Sequence, residues 1–353
     1  MFKQSDPAPL PADGLAASLA PFGSSRMLPR EAYVDPDVFE WEQRNIFSGW
    51  HCVGHASDLD GVGAQRAVGS GANGILLVRD EDEVVRAFAN VCRHRGHELL
   101  ACGATTKRRG VVCPYHSWSF KLNGELRKAP GFDDLDNAGF GLTELRLVDW
   151  HGWLFVDPSG REVDFAEHIA GTEEVIGPYR PEDLTIVARH SYELATNWKV
   201  IAENYQECYH CSTIHPELSR ISPPTSGDNV ELSGDWMGGS MFLIDEAETM
   251  SLSGRSGGVA IKGLSQQELR SVMYLVGYPN LLVSLHPDYV MTHRMTPLAV
   301  DRTHVECTWA FPKEAVEKPD FDASYAVDFW DLTNRQDWAA WTRCPEWERR
   351  RCR

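Results

Sequence analysis

Long apolar runs are missing from this chain. No stretch approaches the roughly 18 uncharged apolar residues that span a bilayer, and Met1 to Met27 is rich in Pro, Ala and Ser without a continuous apolar segment. Neither a membrane protein nor a secretory leader is expected. Positive charge is scarce as well: 34 Lys and Arg face 51 Asp and Glu, a formal charge of −17. Such a surface repels phosphate backbones and anionic lipid alike, so no nucleic acid and no membrane is expected as a partner. An internal repeat and a βαβ alternation are also absent, which argues against a doubly wound sheet. The nine Cys are an odd number. Several stand beside His, and with no secretion signal they read as metal ligands or reduced thiols of a cytoplasmic protein, not as a disulfide framework.

What is present points to about two domains, since 353 residues exceed the roughly 100–200 that one domain takes. Residues 1 to about 30 read as an unstructured lead-in. Val38, Phe39, Trp41, Ile46, Phe47 and Trp50 have helical spacing, which predicts one helix from Asp35 to Trp50. Residues 1–47 are thus expected to be a leader and a helix packed on the later domain. Short β-like runs at Ile75–Val78, Val84–Ala89 and Gly152–Val156, separated by Gly, Asp and Asn turns, make 48–160 a small all-β domain. Residues 161–353 read as a larger domain with an antiparallel sheet flanked by helices. Its expected parts are a helix over Val163–Ile176, a polar helix from Trp198 to His210, a Gly/Ser-rich loop from Ser251 to Gly263, strands at Leu281–Leu285 and His304–Phe311, and a closing helix over Ala323–Trp341. The fold class is α+β.

Two constellations carry chemistry. Cys92-Arg93-His94 and Cys113-Pro114-Tyr115-His116 each pair one thiolate with one imidazole, with residues 95–112 between them. That division suits a [2Fe–2S] cluster with two Cys on one iron and two His on the other, the His-bound iron nearer solvent. Zinc with the same four ligands is the other reading, although zinc sites usually pair like with like at short spacing. His97 and Cys102 fall outside the pairs and are expected to pack.

The second constellation is Glu203, Glu207 and His210, at i, i+4 and i+7, which are expected to share one face of the helix. His215 follows just before Pro216. Two His and a carboxylate on one side of a metal make the facial triad of non-haem Fe(II) oxygenases. Asp337 is the expected third ligand, because it shares a helix face with Trp330, Asn334 and Trp341, whereas Asp328 and Asp331 point elsewhere. A match to G-x-G-x-x-G at Gly69–Gly74 precedes a strand where a dinucleotide site needs a helix after it, so it reads as a turn with no NAD or flavin site.

Together these residues resemble the catalytic α subunit of Rieske non-haem iron oxygenases, from about Leu28 to Trp338. The resemblance implies that Cys92, His94, Cys113 and His116 bind the [2Fe–2S] cluster, and that His210, His215 and Asp337 bind mononuclear Fe(II), with O2 as co-substrate. It places on Glu207 the carboxylate that links the cluster of one subunit to the iron of the next in a homotrimer. It also implies a separate NAD(P)H-dependent reductase or ferredoxin as partner. The strings Glu203-Asn204-Tyr205-Gln206-Glu207-Cys208-Tyr209-His210-Cys211 and Leu332-Thr333-Asn334-Arg335-Gln336-Asp337 look closest to the branch acting on glycine betaine, choline and similar quaternary ammonium compounds. The expected reaction is hydroxylation of a C–H bond, or of an N-methyl carbon with release of formaldehyde.

An aromatic-ring hydroxylating oxygenase is the alternative, and a non-catalytic Rieske electron carrier with a ligand-binding domain the alternative of another class. A quaternary ammonium group calls for an aromatic cage; which rings form it is not legible from the sequence, and for the candidates Trp236, Tyr289 and Trp309 core packing is the commoner role. After about Trp338 the sequence stops resembling the family. Pro345 should break the helix there, and the Arg/Trp/Cys-rich tail reads as truncated or altered sequence.

Overall fold

The computed structural model describes residues 7–21, 23–69, 74–132, 135, 139–161 and 163–342. The expected break at Pro345 and the tail lie outside these residues. The chain forms two compact units, one chiefly of Asp37–Phe165, the other of Leu10–Pro36 with Ala166 onward. The lead-in is not structureless, since Ala12–Ser18 and Glu31–Val34 are helical. The helix foreseen over Asp35–Trp50 covers only Pro36–Asn45. Leu10–Pro36 groups with the second unit, but from Asp37 on the chain belongs to the first, because buried Val38 and Glu42 form the inward stripe of a helix that leads directly into that unit's strand His51–His55.

The strands of the first unit all pair antiparallel. One seven-stranded sheet runs, in spatial order, His51–His55, Trp153–Asp157, Glu144–Trp150, Val85–Ala89, Ile75–Arg79, Ala64–Val68 and Thr105–Lys107, and a three-stranded sheet joins Val111–Val112, Ser119–Phe120 and Leu126–Lys128. Successive side chains of a strand face opposite ways. Leu76 and Val78 therefore enter one core with Phe88, Trp118 and Phe120, while Ile75 and Leu77 enter another with Val53, Leu154 and Val156. Cys92 and Cys113 are buried in the first of these cores.

Asp80 ties the hairpin between Ile75–Arg79 and Val85–Ala89. Its carboxylate accepts from Asp82 N at 3.0 Å, Val84 N at 2.9 Å and Arg86 Nε at 2.6 Å. Ala64–Val68 and Ile75–Arg79, on either side of the glycine-rich Gly69–Gly74, also pair as a hairpin. Residues 70–73, on which the turn was expected, lie outside the described residues.

The second unit carries a seven-stranded antiparallel sheet in the order Leu184–Leu194, Arg302–Pro312, Val290–Ala299, Leu281–Leu285, Ser271–Gly277, Trp236–Phe242 and Asp228–Val230. Its helices include Trp198–Tyr205, Cys211–Ile214, Pro216–Ile221 and the long Ser324–Thr342. The stretch Val163–Ile176 holds two short helices, Phe165–His168 and Glu173–Ile176, in place of one. The Ser251–Gly263 stretch is loop, held by Asp288, which accepts from Thr249 Oγ1, Ser256 Oγ and Tyr325 Oη. This is the α+β architecture the sequence implies. Among the described residues no helix is long and apolar enough to cross a membrane.

Candidate cluster and metal centres

Two loops of matching shape project from the first unit. In each, the Cys N–H donates to a carbonyl five residues on, Cys92 to His97 at 2.8 Å and Cys113 to Trp118 at 2.8 Å, and the Cys carbonyl accepts from the residue four on, Gly96 at 3.0 Å and Ser117 at 3.1 Å. That fourth residue is left-handed in both, Gly96 at φ 67° and Ser117 at φ 59°. Gly takes this conformation freely and Ser does so at a cost. The turns point both thiols inward and both imidazoles outward: Cys92 and Cys113 are buried, His94 is half-buried and His116 exposed. Burial, with the Cys113 side chain alongside, pushes the Cys92 thiol up.

His94 stacks on Trp118 at 4.9 Å, and its ring centroid is 4.8 Å from that of His116. Burial and the neighbouring His116 push its pKa down. His94 Nδ1 is buried without a partner, and both cysteines are free. An orphaned imidazole nitrogen beside two free buried thiols fits a group that ligates them all. His97 and Cys102, expected to pack, are instead exposed: His97 Nδ1 contacts Glu98 O at 2.6 Å, and Cys102 is a free thiol.

In the second unit His210, His215 and Asp337 converge, their donor atoms all within 4.8 Å of one another. Asp337 Oδ1 lies 3.0 Å from His215 Nε2 and 3.4 Å from His210 Nε2. Donors at about 2.1 Å from one ion and at right angles are roughly 3 Å apart, so the spacing fits a shared cation. The opposite ring nitrogens are each held. His210 Nδ1 meets Glu207 Oε1 at 2.6 Å, His215 Nδ1 meets Gln336 Oε1 at 2.8 Å, and Gln336 Nε2 donates to Glu217 Oε2 at 2.9 Å. Such outer bonds fix tautomer and ring orientation, leaving each Nε2 as the nitrogen that could take a shared ion. Burial alone would lower the His210 pKa, but the bonds to Asp337 and Glu207 outweigh it and raise it. Burial would raise Asp337, and the two histidines hold it below the usual carboxylate range.

The expected single helix from Trp198 to His210 does not exist. Asn197 caps a helix that ends at Tyr205. Beyond it Tyr209 N donates to Glu207 Oε2 at 2.5 Å, a side-chain bond that replaces the helical backbone one. Glu203 is therefore separated from Glu207 and His210. It accepts instead from Tyr33 Oη at 2.7 Å, and burial raises its pKa. Cys208 and Cys211, read as reduced or ligating, are joined in a disulfide. On the closing helix, Asp331 accepts from Tyr192 Oη at 2.7 Å and pairs with Arg335, away from the metal.

A cavity of about 510 Å³ opens beside this centre, lined among others by Tyr205, Gln206, Glu207, Asp228, Tyr274 and Trp330. The Tyr205 and Tyr274 rings stand at 79° with centroids 5.9 Å apart, and Tyr274 and Trp330 at 70° and 6.2 Å. The aromatic wall is thus Tyr205, Tyr274 and Trp330, and Trp236, Tyr289 and Trp309 take the packing role expected for each. All three are buried in packing: Trp236 covers Gly277, Trp309 meets His190, and Tyr289 stacks on His286. Gln336, Glu217, Tyr205 and Tyr274 were not foreseen. Only Gln336, adjacent to Asp337, carried a local signal.

The same two segments match family descriptions. Residues 49–139 match the Rieske [2Fe-2S] domain, and residues 181–347 match the ring hydroxylating alpha subunit (catalytic domain). The glycine betaine monooxygenase oxygenase subunit of Chromohalobacter salexigens is 28% identical over 364 residues, spanning 94% of this chain and 81% of that protein. The carnitine monooxygenase oxygenase subunit of Escherichia coli (strain K12) is 34% identical over 215 residues, 59% of this chain and 55% of that protein. The crystal structure of the quaternary ammonium Rieske monooxygenase CntA with an inhibitor shares the fold, at a TM-score of 0.73 over 90% of this chain and 83% of that one, with 23% identity. A Rieske domain decides the zinc alternative in favour of iron and sulfide, and a catalytic domain beside it excludes a mere electron carrier: the chain belongs to the Rieske non-haem iron oxygenases.

Proposed function

We propose that this chain is the oxygenase component of a monooxygenase that hydroxylates a C–H bond of a small quaternary ammonium compound, of the betaine, choline or carnitine kind. The carrying observation is the cavity beside His210, His215 and Asp337. Three aromatic side chains, Tyr205, Tyr274 and Trp330, line it, its charged lining is Glu207, Asp228 and Asp337, and no Lys or Arg is among the described lining residues. Ring faces and carboxylates attract a cation that cannot donate hydrogen bonds, whereas the carboxylates repel the anionic group of an aromatic acid. The sequence relatives named for glycine betaine and carnitine support the same reading.

In this reading Cys92 and Cys113 hold the cluster from its buried side, and His94 and His116 from its solvent side. His210, His215 and Asp337 hold the iron. When bound, the cluster supplies electrons and the iron activates O2. Glu207 keeps the His210 ring oriented. With its side chain 47% exposed, it can also face the cluster of a neighbouring subunit, which fits a homotrimer served by a separate NAD(P)H-dependent reductase or ferredoxin in the cytoplasm. Tyr205 Oη, bonded to Ser284 Oγ at 2.7 Å, fixes its ring as part of the wall against which the substrate cation rests. Hydroxylation of an N-methyl carbon then yields a hemiaminal that breaks down to formaldehyde and the tertiary amine.

The test is turnover with a surrogate reductase on glycine betaine, carnitine and choline against benzoate-type acids. Substrate-dependent O2 uptake with the first group supports the reading. Oxidation confined to the aromatic acids moves the chain to the ring-hydroxylating alternative that its catalytic-domain family description favours.

A further inference from the structure

We propose that Cys208 and Cys211 form a reversible redox pair whose oxidation state sets the affinity of the adjacent iron site. The inference rests on the reading of His210, His215 and Asp337 as iron ligands. The disulfide brackets one of those ligands: it joins the residues on either side of Tyr209 and His210, with the two Cα atoms 4.9 Å apart. Both cysteines line the cavity that His210, His215 and Asp337 line. Cys211 is buried, Cys208 half-buried and Tyr209 97% exposed, so reagents reach the bond from the cavity and from the surface.

A bond closing so short a loop removes little freedom from the unfolded chain, which makes it a poor staple for the fold. Its consequence is local. It holds the turn in which Glu207 Oε1 meets His210 Nδ1 at 2.6 Å and Glu207 Oε2 accepts from Tyr209 N. The turn lies between two helices, the preceding one ending at Tyr205 and the next beginning at Cys211, and its backbone bonds are of the short three-residue type, Glu207 N to Asn204 O at 3.5 Å and Cys211 N to Cys208 O at 3.2 Å. Reduced, two thiols must move apart to nonbonded distance, and the turn that presents His210 loosens. The disulfide is therefore the form in which His210 is already oriented for iron, and less ordering remains to be done on binding.

The redox step balances with hydrogen peroxide as oxidant. Each thiol gives up one proton and one electron, the S–S bond forms, and the O–O bond breaks to give two waters. Reduction runs by thiol–disulfide exchange with a dithiol.

The experiment compares the full-length, cluster-loaded protein before and after dithiothreitol, under anaerobic conditions. Differential alkylation and mass spectrometry count the 208/211 thiols, and Fe(II) titration measures the mononuclear site. Dithiothreitol should open the bond in the folded protein and weaken Fe(II) binding about tenfold, the scale on which outer supports of ligands act. One equivalent of peroxide should restore both, with the cluster absorbance unchanged throughout. The double variant Cys208→Ser/Cys211→Ser should bind iron weakly whatever the reductant. A bond that dithiothreitol cannot open in the folded chain, or equal iron affinity of the two forms, overturns the proposal while leaving the ligand assignment standing. Undiminished iron binding by Asp337→Ala overturns the ligand assignment, and this proposal with it. Should the double variant misfold, the wild-type comparison decides alone.

Discussion

His215 Nε2 stands 3.0 Å from Asp337 Oδ1 although 122 residues of chain separate them. Removing the carboxylate leaves two neutral imidazoles, too weak a set for a hard divalent ion. Asp337→Ala should therefore lower iron from about three to about two per chain, the two being those of the cluster. Iron and sulfide assays with the cluster's absorbance check it, and loss of both metals together would contradict the separation of the centres.

Gln336 acts one bond further out. Its Oε1 accepts from His215 Nδ1 and its Nε2 donates to Glu217, so Gln336→Leu frees the His215 ring to turn and change tautomer. The expected cost is about 10–100-fold in Fe(II) affinity, read by anaerobic titration. Glu217→Gln, which keeps an acceptor for the Gln336 amide, should lose much less.

Glu207→Gln separates orientation from charge. The amide oxygen can still accept from His210 Nδ1, so both metals should stay bound, while the negative charge proposed to couple them is gone. Single-turnover oxidation after cluster reduction should slow by at least about tenfold, a rise of at least about 1.4 kcal/mol in the barrier. Unaltered turnover would remove Glu207 from the electron path.

The candidate ligand pairs could be picked out in the sequence because their spacing is local. Cys92 with His94, and Cys113 with His116, sit within one turn, and His210 and His215 within two. Asp337 was singled out by helical phase together with the family resemblance, since 3.6 residues per turn put it on the side of Trp330 and Asn334, both buried. The end of the helix at Tyr205 was not, because it depends on the Glu207 side chain taking the Tyr209 amide. The aromatic wall was hidden for a different reason. Tyr205, Tyr274 and Trp330 come from two helices and a strand, and only the pairing register of Ser271–Gly277 with its neighbours decides that Tyr274 shares their cavity. The C-x-x-C spacing of Cys208 and Cys211 is as compatible with free thiols as with a disulfide, and the surrounding composition weighed toward the wrong one.

Asp80 predicts a pH dependence. Burial would raise its pKa, but Arg86 and the Val84 and Asp82 amides outweigh that and hold it below the usual carboxylate value of 3.8. A carboxylate depressed in the folded state stabilises fully above its unfolded pKa, and that stability is lost as pH falls through the folded one. Asp80→Asn should thus cost about 1–3 kcal/mol at neutral pH, the usual toll for losing bonds to a charged group. The gap to wild type should narrow below pH 3.8. Urea midpoints followed by cluster absorbance measure both.

Tyr274 allows ring face and hydroxyl to be told apart. Its Oη is buried without a partner, so Tyr274→Phe removes no bond within the protein and should leave KM for a trimethylammonium substrate nearly unchanged. Tyr274→Leu keeps apolar bulk but deletes the quadrupole that attracts the cation, a loss of about 1–2 kcal/mol at a desolvated site, or about 5–30-fold in KM. A substrate held only by apolar contact would tolerate Leu as well as Phe. An oxygen-bearing substrate that bonds Oη would instead suffer from Phe, so the pair of variants distinguishes cation recognition from recognition of the substrate's tail.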